Sequence, residues 1–559
     1  MQLPVFLKNL DKRHYLIIGL WLLANLLQAV FTGLHFDESY YWMYSQNLSW
    51  GYFDHPPMVA FFIYIGNLFL PGEIGVRLFF IIISTLTFAL ILNELNEKKD
   101  LLFAALFILS FPLMHTHIAG FMAIPDIPLL FFATLFIPAY RKFIEQPNWK
   151  ISILIAILLA AMIYSKYHAF LIIGFTVLSN PSLFKSKYFY GIMFLTALLL
   201  VPHILWQIHN EFPTFKYHLV ERTKPFQLKY VFPYIGAQLA IAGPITGFFV
   251  LWKLIKFKAK NHYHRAMVFN IVGFYAVLFV MSFKNRIEAH WIAAVIPMLM
   301  ILTYPLISSD ARVKLWFKQI ALPVIVLMFL FRIYIAVDAI PNIGNLKMAF
   351  YNRQAAALEI KEKAQGTKVG FFNNYAAASN YIFYSGNQAV LLSSPTYRFC
   401  QYDLWDDEKY ADGEALFVVA PRNDNSPNQI KTVTGQLRVF ERIESYQSLT
   451  GLNIGVDNIE TSTDSITFIF SLTNNKGIPF YINHVSEPAL AFIQDKQESL
   501  IVPLAGITDI EQLLPGEDIT IQVSVARSVL LNNHPINVCT RTKENYRGEV
   551  ISIENLPIK

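Results

Sequence analysis

The sequence predicts a polytopic α-helical membrane protein of about eleven transmembrane helices, followed by a soluble α/β domain and a small β-sandwich-like domain. Three observations predict it. The 559 residues are 55% hydrophobic and only 15% charged, where soluble chains are about a quarter charged. Mean hydropathy is +0.41. Charge is also uneven: residues 1–340 hold 27 Lys+Arg against 15 Asp+Glu, and residues 341–559 hold 18 against 24. This excludes a disordered or fibrous chain and argues against a wholly soluble enzyme. The net +6 is explained by cytoplasmic membrane loops, not by nucleic acid.

A bilayer crossing needs about 20 apolar residues. Runs of that kind lie near 15–34, 74–95, 100–118, 127–144, 188–206, 232–255, 265–283, 289–307 and 315–337. The stretch 151–180 is about 30 apolar residues broken by Ser165-Lys166-Tyr167-His168. Arg141, Lys142 and Lys150 precede it, and Lys185 and Lys187 follow it. If both flanks are cytoplasmic it makes two spans, for eleven in all, with the N-terminus inside and the C-terminal domains outside. Lys8, Lys12 and Arg13, the loop Lys253–Arg265, and Arg312, Lys314 and Lys318 fit that orientation. The outer loop 207–231 does not: Lys216, Arg222, Lys224 and Lys229 put positive charge on the wrong side. A long loop with weak topological weight explains this, and so does an anionic ligand. The first run has no small-residue cleavage site after it, so no cleavable signal peptide is expected.

Residues 35–73 are not an ordinary linker. Trp42, Trp50 and several tyrosines suit an interfacial segment. Val59–Leu70 is apolar but too short to span, so a shallow or re-entrant helix is expected. Carboxylates sit at outer membrane edges: Asp37-Glu38, Asp54 and Asp126. Each alone reads as a helix cap or a solvated end. Together on one side of the membrane they read as a site. A carboxylate there can deprotonate or orient a hydroxyl nucleophile. Arg77, Lys166, Lys284, Arg286 and the loop 207–231 are candidate holders of a phosphate leaving group.

Five motifs, in order along about 35–295, carry a resemblance. They are Phe-Asp-Glu-Ser-Tyr-Tyr-Trp at 36–42, Gly-Tyr-Phe-Asp-His-Pro-Pro at 51–57 and Pro-Asp-Ile-Pro-Leu at 125–129. Ser-Lys-Tyr at 165–167 and Asn-Arg-Ile-Glu-Ala-His-Trp at 285–291 complete the set. The chain resembles the GT-C membrane glycosyltransferases of the protein-O-mannosyltransferase superfamily, nearest the bacterial lipid A aminoarabinose transferase branch. The resemblance implies a polyprenyl-phosphate-linked sugar donor, inverting transfer, and a site at the outer face of the plasma (inner) membrane. It implies Asp37 as the catalytic carboxylate and Asp126 as the second aspartate, with Glu38 beside them. Asp54, His55, Arg77, Lys166, Tyr167, Arg286 and His290 become expected substrate contacts. The sequence departs from that branch at Asp54-His55-Pro56, where the aminoarabinose transferases carry Glu-Lys-Pro. The lysine is expected to contact the donor phosphate; His55 does so only when protonated, or through a neutral hydrogen bond. The Glu-Lys pair is also linked to a metal. Asp54 and His55 are weak candidates for one, being only two adjacent ligands.

The polar part reads as two domains, 341–445 and 446–559, after a membrane domain of 1–340. Helix at Gln354–Ala364 and Ala376–Ser385 alternates with strand at Lys368–Phe372, Ala389–Leu392 and Ala415–Ala420, as in an α/β domain. No Gly-rich phosphate loop appears, so a nucleotide site is unsupported. Ser465–Leu472 and Ile519–Val525 alternate with period two around turn signals, as in a β-sandwich. Cys400 and Cys539 have no framework spacing and read as two free thiols rather than a disulfide.

Two other functions stand beside the enzyme. A transporter or lipid flippase places ionisable groups near the bilayer midplane, whereas these carboxylates cluster at one surface. A membrane-anchored interaction protein needs one span and leaves the others unexplained.

Overall fold

The computed structural model describes residues 10–553 except 116–119, 222–224, 244, 406, 422–427, 496, 531–534 and 543–546. Lys8, Arg222 and Lys224 fall outside the described residues. The chain divides into two compact units, Met1–Tyr351 and Asn352–Lys559.

The first unit is helical. Its elements are α1 (Lys12–Phe31), α2 (Phe36–Gln46), α3 (Met58–Phe69), α4 (Gly72–Leu95), α5 (Leu101–Leu109) and α6 (Asp126–Glu145). Then come α7 (Trp149–Ser165), α8 (Ala169–Ser179), α9 (Lys187–His209) and the single turn α10 (Pro213–Phe215). After a π-helical turn at Lys216–Glu221 follow α11 (Val231–Ile241), α12 (Thr246–Ile255), α13 (His262–Ser282), α14 (Ile296–Ser308) and α15 (Ala311–Ala336). Short polar side chains start several of them by accepting first-turn N–H groups: Asp11 for α1, Asp100 for α5, Asn148 for α7, Asn261 for α13 and Asp310 for α15.

Among the described residues each predicted apolar run contains helix, but fewer are long spans than expected. Among the described residues seven helices are long and apolar enough to cross a membrane, or eight counting α11 with α12, which meet at a 97° bend. The run at 100–118 is shortened because α5 ends at Leu109, before the 3₁₀ turn Pro112–Met114. The stretch 151–180 forms two short helices, α7 and α8. Lys166, with extended backbone, breaks them apart at the predicted polar segment. α3 is 12 residues long, about 18 Å, too short to span.

One apolar core joins these helices, with Phe88, Phe107, Leu130, Ala133, Met162, Phe274, Leu299 and Phe317 at or near zero exposure. Arg332 of α15 is buried against α1. Its Nε donates to Gln28 Oε1 at 3.1 Å and its Nη2 to Asn25 Oδ1 at 2.9 Å. A buried guanidinium needs such acceptors, because unpaired burial of charge is costly.

In the second unit, α16 (Arg353–Ala364) and α17 (Tyr375–Ser385) accompany β1 (Lys368–Phe372), β2 (Ala389–Leu392) and β3 (Leu416–Pro421). The five-stranded sheet runs β2-β1-β3-β5-β4, with β4 at Gln429–Lys431 and β5 at Leu437–Ile443. β1 pairs in parallel with β2 and β3; β5 is antiparallel to both of its neighbours. Beyond it, β6 (Leu452–Thr461), β7 (Ser465–Asn474) and β12 (Asp518–Ala526) form one antiparallel sheet, and β8 (Phe480–Tyr481) pairs with β11 (Gln512–Leu513). β9 (Ala489–Gln494), β10 (Gln497–Pro503), β13 (Ile536–Arg541) and β14 (Arg547–Ile553) form another. The alternate residues Ile466, Phe468, Phe470 and Leu472 of β7 face inward with Phe492 and Val538 in one core, as a sandwich requires. Cys400 and Cys539 are both buried, and neither forms a disulfide.

Candidate active site

α2 begins where the chain leaves α1. Its cap is His35, whose Nδ1 accepts the Asp37 N–H at 3.2 Å, while Glu38 Oε2 accepts the His35 N–H at 2.8 Å. This reciprocal cap fixes the first turn and the direction of Asp37, whose side chain is 34% exposed.

Glu38 is fully buried, as is Arg77 of α4. Arg77 Nε donates to Glu38 Oε1 at 2.8 Å and Nη2 to Oε2 at 2.5 Å. The remaining donors go to the carbonyls of Ala29, Thr32 and Gly33 at the end of α1. Glu38 Oε1 also accepts the Ala123 N–H at 2.8 Å. One carboxylate thus ties α2 to α4, to the end of α1 and to the loop that leads into Asp126. Arg77 was expected to contact phosphate; its donors instead point inward, because a buried carboxylate needs a guanidinium partner.

Asp126 opens α6 and is buried. The Lys166 ammonium, at the break between α7 and α8, donates to both its oxygens at 2.7 and 2.8 Å. His290 Nε2 lies 3.9 Å from Asp126 Oδ2 with its side chain 25% exposed.

The loop 47–57 is pressed against α9. A Cβ at Gly51 would lie 2.4 Å from Trp206, so the approach admits only glycine there. Asp54 is buried and accepts the Tyr44 hydroxyl at 2.6 Å. Tyr44 stacks on Tyr52 at 4.1 Å. His55 meets Tyr41 edge-on at 5.3 Å. Burial pushes the His55 imidazole down to about 4, with Asp54, Lys166, His218 and Asp126 close enough to act on it electrostatically. Burial likewise lowers His168, which faces Trp291 at 5.1 Å. His218 Nε2 lies 3.4 Å from the Asp54 carbonyl.

Tyr167 anchors this loop from the α7–α8 break. His203 Nδ1 lies 2.6 Å from the Trp50 carbonyl and must donate to it, so Nε2 accepts the Tyr167 hydroxyl at 2.9 Å. Gln207 donates to Tyr167 at 3.0 Å and to Thr214 at 2.8 Å, and Thr214 donates to the Tyr52 carbonyl.

Asp54, His55, Asp126, Lys166 and His290 therefore gather in one cluster, with Tyr167 bracing it, and Glu38 ties the first turn of α2, which carries Asp37, to the loop that leads into Asp126. Arg286 is not drawn in: its side chain is 78% exposed and lies 3.3 Å from Glu288. Sequence reasoning passed over His35, Tyr44, His168 and His218 as site residues. Their signal was position only: each lies one or two residues from a quoted motif, or in the basic outer loop. A metal at Asp54-His55 does not fit. The Asp54 carboxylate is engaged by Tyr44, and among the described residues no group of three His, Cys, Asp or Glu side chains could hold an ion.

Residues 54–206 match the family described as dolichyl-phosphate-mannose-protein mannosyltransferase. Curated proteins give no match in sequence. Among solved structures the chain is similar to ArnT from Cupriavidus metallidurans in the apo state. Identity is 13% with a TM-score of 0.54, over 76% of this chain and 97% of that one. The same protein bound to undecaprenyl phosphate gives 14% and 0.52 over the same shares. The chain is thus a polytopic membrane protein of GT-C fold that resembles the ArnT branch both in its ordered motifs and in three dimensions.

Proposed function

We propose that the protein is an integral-membrane glycosyltransferase that moves a sugar from a polyprenyl-phosphate carrier to a hydroxyl or phosphate acceptor. The carrying observation is the Glu38–Arg77 pair, which holds Asp37 half-open to solvent at a helix N-terminus and ties it to the Asp126 loop. Asp37 acts as general base or orients the acceptor, which attacks the anomeric carbon opposite the phosphate and inverts it. Lys166 with Asp126, the neutral imidazoles of His55 and His168, and the His290 side chain line the donor side and give hydrogen bonds to the phosphate. The printed descriptions of the matched family and of the undecaprenyl-phosphate complex support a lipid-phosphate donor. The orientation follows from the basic loops: plasma membrane, site and soluble unit outside. The soluble unit reads as an α/β domain and a β-sandwich that support the site or bind the acceptor.

Purified protein incubated with labelled polyprenyl-phosphate sugars and envelope extracts tests this reading. Release of polyprenyl phosphate coupled to sugar transfer is expected. Movement of the labelled lipid between leaflets without bond cleavage would replace the enzyme by a flippase.

A further inference from the structure

We propose that His35 is a positioning residue that takes up the proton Asp37 removes from the acceptor, releasing the α2 cap to do so. The inference rests on the catalytic reading of Asp37. His35 Nδ1 is 3.2 Å from the Asp37 nitrogen, whose N–H it accepts, and 3.5 Å from Asp37 Oδ2. An unprotonated Nδ1 accepts the N–H; a protonated one cannot, and donates to the carboxylate instead. One nitrogen therefore has two mutually exclusive partners on one residue, and protonation selects between them.

The ring is held in place for this exchange. Phe36 packs on it with centroids 4.0 Å apart and Phe350, from the segment after α15, at 5.2 Å. The His35 side chain is 13% exposed. Asp37 and Glu38 are charged groups that face it. Glu38 takes the His35 backbone N–H and is itself held by Arg77. Phe350 contributes an apolar face. Serine, threonine, asparagine or aspartate is the usual residue at a helix N-cap, so a cap alone does not call for an imidazole.

The step balances. The acceptor O–H bond breaks as its oxygen bonds to the anomeric carbon, and the bond from that carbon to phosphate breaks with its electron pair on the polyprenyl phosphate. The proton passes to Asp37 Oδ2 and on to His35 Nδ1. The imidazolium returns it to water after product leaves, and the cap re-forms.

The full chain in nanodiscs, labelled at its histidine nitrogens, tests the proposal without a substrate. The signal missing from His35→Ser identifies His35 among 14 histidines. Its imidazole is expected to titrate at a higher pH in the unsubstituted protein than in Asp37→Asn, because the carboxylate favours the imidazolium. The same midpoint in both overturns the proposal. Turnover with a panel of undecaprenyl-phosphate-linked sugars gives the second readout. His35→Ser keeps a good cap, so the thermal midpoint is retained, while kcat falls at least about 10-fold with an altered pH profile and unchanged donor KM. An unchanged kcat and pH profile makes His35 a cap only and overturns the proposal. Asp37→Asn at the unsubstituted rate overturns the catalytic reading of Asp37, and the proposal with it.

Discussion

Glu38 and Arg77 lie 39 positions apart in sequence and meet through two hydrogen bonds with neither side chain exposed to solvent. Arg77→Met should leave Glu38 charged and unpaired, at a cost of about 3–5 kcal/mol. The unfolding midpoint in detergent measures it. Glu38→Gln with Arg77→Met removes both charges and should lose less than Arg77→Met alone. Equal loss would make the pair's charge irrelevant and leave only its shape.

Asp37 carries the opposite expectation, because its side chain is partly exposed whereas Glu38 and Arg77 are fully buried. Asp37→Asn should leave the unfolding midpoint nearly unchanged and lower kcat by at least about 100-fold, the scale of lost general-base catalysis. Near-normal transfer would remove Asp37 from the chemistry.

The helices, and the strands of the soluble unit, were legible because apolar length and period-two alternation are local properties. β1 and β2 fall on Lys368–Phe372 and Ala389–Leu392, as expected from sequence. The acids and the Ser165–His168 break were legible because polar residues are rare in this unit. The direction of each cation was not. Arg77 and Arg286 look alike in sequence, yet one is fully buried on Glu38 and the other stands in solvent beside Glu288. That choice is made by residues 39 positions away or by a loop conformation, neither of which leaves a local pattern. His35 was hidden for the same reason: its role appears only when the helix cap and Phe350 are seen around it.

Gly51 tests how tightly the loop 47–57 must sit. Gly51→Ala drives a methyl group into the Trp206 ring, so the loop must lift, carrying Asp54 and His55 with it. Donor KM is expected to rise, and Gly51→Ala with Trp206→Ala to recover much of it. No recovery would point to backbone conformation rather than crowding.

Orientation is testable apart from chemistry. A cysteine at Lys260, probed with a membrane-impermeant thiol reagent in intact spheroplasts, should stay unlabelled, while residues 352–559 should be open to added protease. Labelling at position 260 together with protection of the soluble unit would invert the later half of the chain.

The departure at His55 sets a pH dependence. An unfolded histidine takes its proton near 6.5, whereas buried His55 resists it down to about 4. Between those values the unfolded chain binds the extra proton, so stability contributed by the neutral ring is fully present above 6.5 and lost as pH falls toward 4. His55→Gln has no proton to take up. The gap in unfolding midpoint between the unsubstituted protein and His55→Gln should therefore shift against the unsubstituted protein from pH 7 to pH 4.5. A gap independent of pH would mean that another group carries the acid sensitivity. The same neutral ring bears on the donor. If His55 met the phosphate as a cation, donor affinity would rise as pH fell toward 4, where the ring of the donor-free protein takes up its proton; a neutral hydrogen bond predicts no rise there. His55→Lys then separates the roles, because a fixed ammonium beside Lys166 should tighten the donor only if the phosphate occupies that corner.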